Sequence, residues 1–428
     1  MTLIGRLIGK LLKRGSITVI TPDGKRATYG PGGGKALTIR LRDRRVAFDL
    51  IRNPRLGVGE AYMDERLVIE DGTILDLLEL VTGSNRWEDG GKGRKLIGKS
   101  RFAALTSLLR RNPAAKARRN VAHHYDIGND LYRLFLDDDL QYSCAYFTDP
   151  KNSLEQAQAD KKAHIAAKLD LKPGQRVLDI GCGWGGTALY LHRVAKVDVL
   201  GITLSESQLK VARQRAKDAG VAEHVRFELI DYRDVAGPFD RIVSIGMFEH
   251  VGLAHYDEFF ERCRELLKPD GAMLLHTIGR LGSANTAPDP FTDKYIFPGY
   301  HLPSLAQMTS ASGRARLIAS DLEILRLHYA YTLRHWLERA TRARARIEAM
   351  YDARFFRMWE FYLAGGIVMF ETGAGCNYQI QYIRDRHALP ITRDYMAAAE
   401  ARYRAAEALT QGPTVSRRAS RKSIELQD

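Results

Sequence analysis

The feature that most constrains the fold is a glycine-rich turn set among alternating strands and helices. The stretch "VLDIGCGWGG" (177–186) carries glycine at three positions with the spacing G-x-G-x-x-G. Around it, apolar periodicity predicts strands at 176–181, 197–202, 225–230, 239–245 and 272–278, and helices near 153–169, 185–195, 205–219 and 255–267. Strands that alternate with amphipathic helices form a parallel sheet covered on both faces. We therefore predict a doubly wound, Rossmann-like α/β domain.

The glycine turn by itself leaves two cofactor classes open. Glycine after the first strand lets the backbone approach a nucleotide-like cofactor closely. A dinucleotide site also requires an acidic residue about 20 positions further on for the ribose, but here the second strand ends at Thr203. Asp179 creates the pattern D-x-G-x-G, which is typical of S-adenosylmethionine-dependent methyltransferases. Asp231, at the end of the third strand, could then accept a hydrogen bond from the adenine amino group.

The charge distribution indicates an anionic partner. The chain carries a net charge of +14, and residues 85–119 hold 11 basic side chains against two acidic ones. Such a block favours nucleic acid or an anionic lipid surface, although a solvated linker has the same composition. The four cysteines lie far apart, which indicates a reducing compartment and argues against a disulfide framework or a structural zinc site.

The pattern divides the chain into four parts. Residues 1–85 are predicted to form a small α+β domain, 86–119 a basic linker, 120–410 the doubly wound domain and 411–428 a disordered tail. Residues 3–12 form an apolar stripe with a basic opposite side, typical of an interfacial helix or of a helix packed on its own domain. Because no stretch is long and apolar enough to span a bilayer, we expect a cytoplasmic protein that touches the inner face of the membrane.

Two polar residues follow long apolar runs, where strands of the predicted sheet end. Glu249 follows the fourth strand in "SIGMFEHVG", and His276 belongs to "LLHTIG" at the end of the fifth. Alone, a glutamate in this position is often a helix cap and a histidine is often a core residue. Together on adjacent strand ends, beside a cofactor loop, they indicate an acid–base site.

Further motifs give the chain a resemblance to a known family. "GVGEAYMD", "HYDIGNDLY", "QYSCAYF", "VLDIGCGWGG", "GITLSESQ", "DYRD", "DRIVSIGMFEHVG", "LLHTIG" and "KYIFPGYHLPS" occur in this order between about residues 50 and 400. The sequence thereby resembles the cyclopropane-fatty-acyl-phospholipid synthases and the related mycolic acid cyclopropane synthases. The resemblance implies S-adenosylmethionine as the cofactor, bound in a methyltransferase domain, with a smaller N-terminal domain for lipid binding and dimerisation.

The implied reaction is the transfer of a methylene group to a cis double bond of an unsaturated phospholipid, which gives a cyclopropane fatty acyl chain. The alternative is a fatty-acyl methyltransferase of the same fold that gives a methyl-branched or methylated unsaturated chain. The implied partners are the lipid substrate, an anionic phospholipid bilayer and a possible second copy of the chain. A nucleic-acid substrate is not expected, because no [N/D]-P-P-[Y/F] motif is present.

The resemblance also implies the roles of individual residues. A bound bicarbonate ion acts as the base, held by Cys144, Glu249, His276, the backbone of Ile278 and Tyr329. We expect Glu249, His276 and bicarbonate to titrate as a coupled group. The cofactor contacts that follow from the motifs are Tyr142, Ser143, Asp179, Gly181, Cys182, Gly183, Trp184, Gly185, Gly186, Thr203, Gln208, Asp231 and Tyr232, and no metal is expected.

Two expectations concern the acyl chain and its access to the site. Aromatic faces can stabilise the carbocation formed on the chain, and the candidates are Tyr142, Tyr146, Phe147, Tyr295, Phe297 and Tyr329. Many family members carry a cysteine after "YL" in a late helix, where this chain has Gly366. Because alkene methylation requires no covalent nucleophile, we expect this departure to be tolerated, although it leaves the cyclopropane product open.

Overall fold

The computed structural model describes residues 3–90, 128–282 and 288–411. Most of the basic linker predicted at 86–119 lies outside the described residues, and so does the tail predicted at 411–428, apart from its first residue.

The N-terminal unit is a small sheet covered by helices. Its sheet has the order β2-β1-β3-β4, in which β1 pairs antiparallel with β2 and parallel with β3, and β3 pairs antiparallel with β4. Residues of β1 alternate between buried and half-buried positions, as expected for a strand with one face on the core. The elements are α1 (Leu3–Leu11), β1 (Gly15–Ile20), β2 (Arg26–Gly32), β3 (Ala36–Leu41), α2 (Arg45–Arg52), α3 (Pro54–Met63), β4 (Leu67–Ile69) and α4 (Ile74–Gly83).

The second unit contains the predicted alternation of strands and helices. Its elements are α5 (Asn129–Phe135), α6 (Leu154–Lys168), β5 (Arg176–Ile180), α7 (Gly186–Ala195), β6 (Asp198–Thr203), α8 (Glu206–Asp218), β7 (Val225–Leu229), β8 (Phe239–Ile245), α9 (Tyr256–Leu266), β9 (Leu267–Arg280), α10 (Pro290–Tyr295), α11 (Leu305–Arg314), β10 (Ile318–Ile324), α12 (His328–Arg342), α13 (Arg344–Met350), α14 (Ala353–Glu371), β11 (Gly375–Ile383) and α15 (Asp394–Gln411).

These strands form one seven-stranded sheet with the order β10-β11-β9-β8-β5-β6-β7. The five strands from β7 to β9 are parallel, whereas β11 runs antiparallel to both of its neighbours. One face of the sheet packs against α6, α7, α8 and α15, and the other against α9 and α11. The predicted doubly wound fold is therefore confirmed, and β10 and β11 add two strands that the sequence pattern did not predict.

The two units share a hydrophobic core. Buried side chains of β1, β3 and α4 belong to the same cluster as buried side chains of α5, α12 and α14. Polar contacts seal this junction: Tyr62 donates to Glu360 Oε2 at 2.6 Å, and Arg334 binds both Glu79 and Glu371. The predicted domain boundary near residue 85 follows the end of α4, but the packing across it is continuous.

Candidate active site

The glycine turn between β5 and α7 opens the candidate site. Gly181, Gly183 and Gly185 have positive φ angles of 86°, 53° and 81°. A Cβ at Gly181 would lie 2.9 Å from the Cβ of Met247, so the turn has no room for a side chain there. Glycine at this position lets the backbone border a ligand directly.

A cleft lies at the carboxyl ends of β5 to β8, the edge where open α/β sheets bind ligands. Twelve of the thirteen predicted cofactor residues line it: Tyr142, Ser143, Asp179, Gly181, Cys182, Gly183, Trp184, Gly186, Thr203, Gln208, Asp231 and Tyr232. Gly185 does not line the cleft. A Cβ there would lie 2.6 Å from the Phe227 ring, so this glycine allows the turn to pack on the core.

Asp179 is the buried acid of the cleft. Its side chain is 1% exposed, and Oδ2 has no hydrogen-bond partner among the described residues. Burial raises the pKa of Asp179 to about 7, although the positive charge of Lys161 opposes this shift. A buried carboxylate that lacks a donor is costly. Asp179 therefore has one oxygen available for a hydroxyl or ammonium group of a ligand.

Thr203 and Gln208 meet at the end of β6, where a dinucleotide site would have an acid. Both are buried, and Thr203 Oγ1 lies 3.1 Å from Gln208 Oε1. At the end of β7, the carboxylate of Asp231 accepts two hydrogen bonds from the Arg233 guanidinium, at 2.8 and 2.7 Å. An adenine contact at Asp231 would therefore share an oxygen that Arg233 already occupies.

Glu249 follows β8 in a short 3₁₀ turn and reaches the backbone of β9. Its Oε1 accepts a hydrogen bond from Ile278 N at 2.6 Å, while Oε2 is buried and has no hydrogen-bond partner among the described residues. Burial raises the pKa of Glu249 to about 7. The structure thus brings together Glu249 and Ile278, two of the five predicted bicarbonate ligands.

The His276 imidazole lies between two amides of β11. Nε2 is 3.0 Å from Asn377 Nδ2, and Nδ1 is 3.1 Å from Gln379 Nε2. Burial, and then the positive charge of Lys161, lowers the pKa of His276 well below its usual value, so the ring is neutral. A neutral ring accepts at one nitrogen and donates at the other, so it accepts a hydrogen bond from only one of these two NH2 groups, and no hydrogen bond joins His276 to Glu249 in the described part of the chain.

Tyr329 lies in the first turn of α12, and Cys144 is buried in the same core. Burial raises the pKa of the Cys144 thiol, which therefore stays protonated. The Tyr329 ring packs against Phe370 at 4.8 Å and Trp336 at 5.9 Å. Neither residue lines the cofactor cleft, and neither do Glu249, His276 and Ile278.

The aromatic candidates differ in how free their rings are. Tyr146 is stacked between His164 and His328, at 4.0 and 4.8 Å, so both faces of its ring are covered. Phe147 stacks on His335 at 5.8 Å. Tyr146 therefore serves packing, and the expectation that it stabilises a carbocation is not supported by its surroundings.

Comparison with known proteins identifies the family. Residues 113–380 match the family described as mycolic acid cyclopropane synthetase, and residues 8–86 match a domain family of unknown function. The cyclopropane-fatty-acyl-phospholipid synthase of Escherichia coli (strain K12) is 38% identical over 84% of this chain and 87% of its own length. The chain belongs to the mycolic acid cyclopropane synthetase family.

The chain is also similar to a methyltransferase and to a solved cyclopropane synthase structure. A probable fatty acid methyltransferase of Pseudomonas putida is 41% identical over 64% of this chain and 73% of its own length. The crystal structure of mycolic acid cyclopropane synthase CmaA1, complexed with SAH and CTAB, superposes with a TM-score of 0.59 and 34% identity, covering 62% of this chain and 97% of that one. The fold is thus that of S-adenosylmethionine-dependent methyltransferases.

Three residues in or next to the cleft were not predicted from the sequence: Gln141, Lys161 and His250. Lys161 of α6 is fully buried, and its ammonium donates to Gln141 Oε1 at 2.7 Å and Ser143 Oγ at 2.8 Å. Gln141 and Ser143 line the cleft, as does His250, whose pKa is lowered to about 4 by burial. Gln141 and His250 stand within "QYSCAYF" and "SIGMFEHVG", so the motifs contained a signal for both. Lys161 lies in "ADKKAH", which reads as an ordinary solvated helix.

Membrane crossing finds no support in the part of the chain that the structure describes. None of its helices combines enough length with enough apolar character to span a bilayer.

Proposed function

We propose that this protein transfers a methylene group from S-adenosylmethionine to a cis double bond in an unsaturated phospholipid, forming a cyclopropane fatty acyl chain. The family membership carries this proposal, and the name of the Escherichia coli relative supports the substrate class. The intact cleft at the glycine turn supports catalysis over a purely lipid-binding role.

The residues of the cleft fit the proposed cofactor. Asp179 has a free buried oxygen that can accept a hydrogen bond from a polar group of the ligand, and Gly181 and Gly183 leave the backbone uncovered beside it. Thr203 and Gln208 supply uncharged oxygen and amide groups for the ribose hydroxyls. When bound, S-adenosylmethionine supplies an electrophilic methyl group to the alkene.

We further propose that Glu249 helps to hold bicarbonate. A carboxyl group with a pKa near 7 is largely protonated below neutral pH, so its free Oε2 can donate to an anion without charge repulsion. The fit at His276 is less complete, because both ring nitrogens face side-chain amides of β11, those of Asn377 and Gln379. A protonated carboxyl cannot accept a further proton, so Glu249 would act as a hydrogen-bond donor to the anion, and the anion itself would be the base. Cys144 and Tyr329 complete the proposed ligand set from the α12 side.

An apolar lining for the acyl chain is supported by a group of half-buried aromatic residues in the shared core. Tyr142, Tyr295, Phe297 and Tyr362 are packed against this core without being fully enclosed. The hydroxyl groups of Tyr142 and Tyr362 lie 3.3 Å apart, so their rings border the same space. We propose that the unsaturated chain reaches the cofactor along these rings.

The proposed setting is the cytoplasmic face of the cell membrane, where the protein binds anionic phospholipid, with a possible homodimer as the working form. The net charge of +14 supports attraction to such a surface. On the sequence alone, the basic segment 85–119 is a candidate contact, and reversal of Arg110, Arg111, Arg118 and Arg119 tests it by vesicle binding.

A second candidate function is supported by the name of the Pseudomonas putida relative, a probable fatty acid methyltransferase. Its product would be a methyl-branched or methylated unsaturated chain. A methylated unsaturated chain has the same mass as the cyclopropane chain, so mass alone does not separate these two, whereas a saturated methyl-branched chain is heavier by two hydrogens.

The test is expression in a bacterial host that lacks cyclopropane synthase, followed by proton NMR of the extracted lipids. We expect upfield signals of cyclopropane protons with the wild-type chain and much weaker ones with Glu249→Ala. A new methyl doublet or vinylidene signals in place of the ring protons would favour the second function. Unmodified lipids, despite folded protein that binds S-adenosylmethionine in calorimetry, would contradict both.

A further inference from the structure

One face of α2 exposes apolar side chains in the middle of a basic surface. Phe48 and Ile51, one turn apart, are 63% and 41% exposed. Arg45 and Arg52 are exposed on the same side of α2 at helical spacing, and Arg44, just before the helix, and Arg55, in the first turn of α3, are exposed close by in the chain. We call this set of six residues the α2 face. The opposite side of the helix carries the buried residues Val46 and Leu50.

The acidic residues near this face form ion pairs with an arginine outside it. Asp43 and Asp49 both bind Arg66, at 2.7 and 3.0 Å. The four arginines of the α2 face form no ion pair with any described residue. The face therefore presents uncompensated positive charge around an apolar centre.

The local sequence explains why these side chains project outwards. Asn53 caps α3 through its side chain, and Pro54 begins that helix, so α2 ends after two turns. Only the Val46 and Leu50 side of so short a helix reaches the core. Most of Phe48 therefore stays in water, and exposure of so much of an aromatic ring is unfavourable.

The N-terminal helix α1 is a poorer candidate for the same role. Among its described side chains, Leu12 just after the helix is buried and Ile8 is half-buried in the core of the N-terminal unit. A Cβ at Gly5 would collide with the Tyr29 ring, so this helix lies directly on β2. Ile8 and Leu12, which belong to the described part of its apolar stripe, pack within the domain.

We propose that the α2 face docks the protein on a bilayer that contains anionic phospholipid, with Phe48 and Ile51 inserted at the level of the headgroups. Aromatic and aliphatic side chains flanked by arginine are the combination that lies in a lipid–water interface. The arginines bind lipid phosphates, and their attraction is weakened by salt. This inference rests on the proposed lipid substrate and names the surface that brings the protein to it.

The test is co-sedimentation with vesicles of phosphatidylcholine and phosphatidylglycerol, compared with vesicles of phosphatidylcholine alone. We expect wild-type protein to bind only the anionic vesicles and to be released by high salt. The double variants Phe48→Ser with Ile51→Ser, and Arg45→Glu with Arg52→Glu, should each raise the lipid concentration for half-maximal binding at least tenfold. Unchanged binding of either double variant would overturn the proposal.

Matched controls separate this face from general charge and general apolarity. Lys210→Glu with Lys217→Glu makes the same change in charge on the exposed side of α8. Ile391→Ser removes an apolar side chain that is 99% exposed but stands alone. Both controls should bind vesicles as the wild type does, and an equal loss in them would overturn the proposal.

Two further measurements separate membrane docking from self-association and from catalysis. If light scattering shows that Phe48→Ser with Ile51→Ser turns a dimer into a monomer, the face serves self-association and the proposal is wrong. Release of S-adenosylhomocysteine is measured for the wild type on a detergent-dispersed unsaturated phospholipid. Vesicle binding without this activity would contradict the proposed function while leaving the docking surface in place.

Discussion

The Lys161 ammonium lies 2.8 Å from the hydroxyl of Ser143, at a position with no solvent exposure. A buried lysine is costly unless its hydrogen bonds are satisfied, and the second acceptor, Gln141 Oε1, lies at 2.7 Å. Both partners line the cofactor cleft. Lys161 therefore fixes one wall of the cleft from inside the protein, and we regard it as a positioning residue.

Replacing Lys161 with methionine should weaken cofactor binding. The methionine side chain has a similar length but no hydrogen-bond donors, so it no longer holds Gln141 and Ser143 in place. We expect the Kd for S-adenosylmethionine, measured by calorimetry, to rise about tenfold, which corresponds to roughly 1.4 kcal/mol.

The same lysine predicts how cofactor affinity depends on pH. Burial lowers the pKa of Lys161 to about 8. Wild-type affinity should therefore fall as the pH rises through about 8, whereas the variant should lack this step. The control is Lys172→Met on the surface. If Lys161→Met kept both the wild-type affinity and the pH step, the positioning role would be excluded.

The raised pKa of Glu249 predicts how methylene transfer depends on pH. Ionisation near pH 7 places a negative charge beside the proposed bicarbonate, so activity should fall as the pH rises above about 7. Glu249→Gln stays neutral and keeps a donor, and should show no such fall. Glu249→Ala should lower kcat on the order of 100-fold. Release of S-adenosylhomocysteine from pH 6 to 9, with bicarbonate saturating, measures all three. Identical pH profiles for wild type and Glu249→Gln would rule out this role.

The buried carboxyl group of Asp179 should lower the free energy of unfolding of the cofactor-free protein at neutral and alkaline pH. The folded chain holds the carboxyl proton up to about pH 7, whereas the unfolded chain loses it near 3.8, so stability from this group is lost as the pH rises between these values. Asp179→Asn should therefore raise the free energy of unfolding at pH 8 by roughly 2–4 kcal/mol, raise Tm, and have little effect at pH 4. Calorimetric melts at the two pH values check this, and cofactor affinity should fall in the same variant. A lower Tm at pH 8 would contradict it.

Gly366 should accept the cysteine found in many relatives of the family. It lies inside α14, and a Cβ there would be 3.0 Å from Leu333 Cδ1, the movable end of a side chain. Because glycine disfavours a helix interior, the gain in helix propensity offsets this contact, and Gly366→Cys should change the free energy of unfolding by less than about 1 kcal/mol. Product NMR and kcat should be unchanged. A switch of product or a large gain in rate would mean that the thiol takes part in the reaction.

The sheet could be predicted only where apolar runs are bounded by glycine and polar turns. β5, β6, β8 and β9 have this pattern because both faces of a central parallel strand are buried, whereas β7, at the edge of the sheet, has only Val225 and Phe227 buried. β11 is as buried as the central strands, yet it contains Asn377, Gln379 and Gln381, whose partners include His276 and Lys168. These polar side chains find their hydrogen-bond partners only in the folded protein, so the sequence of β11 does not look like that of a buried strand. β10 is an edge strand with mostly exposed or half-buried residues, so its pattern is weak as well.

The site residues that could be predicted are those that lie within recognisable sequence motifs. Residues on the glycine turn and at the strand ends line the cleft because their positions follow from the fold. The surroundings of His276 did not follow, since its partners come from β11, about 100 residues later in the chain. Likewise, no local pattern separates buried Lys161 from an exposed lysine, because α6 is enclosed on nearly every side.

The shared core has a mechanical consequence for an enzyme that works on a membrane. Phe361 of α14 and Phe291 of α10 close over Gly59 of α3, so the N-terminal unit has no hinge at this contact about which it could swing. If the α2 face docks on lipid as proposed, the catalytic unit is held at a constant height with it. If the two units stay packed in this way, the acyl chain must rise out of the leaflet to meet the catalytic unit. Turnover should then depend on how readily a lipid leaves its neighbours, and hence on the fluidity of the membrane.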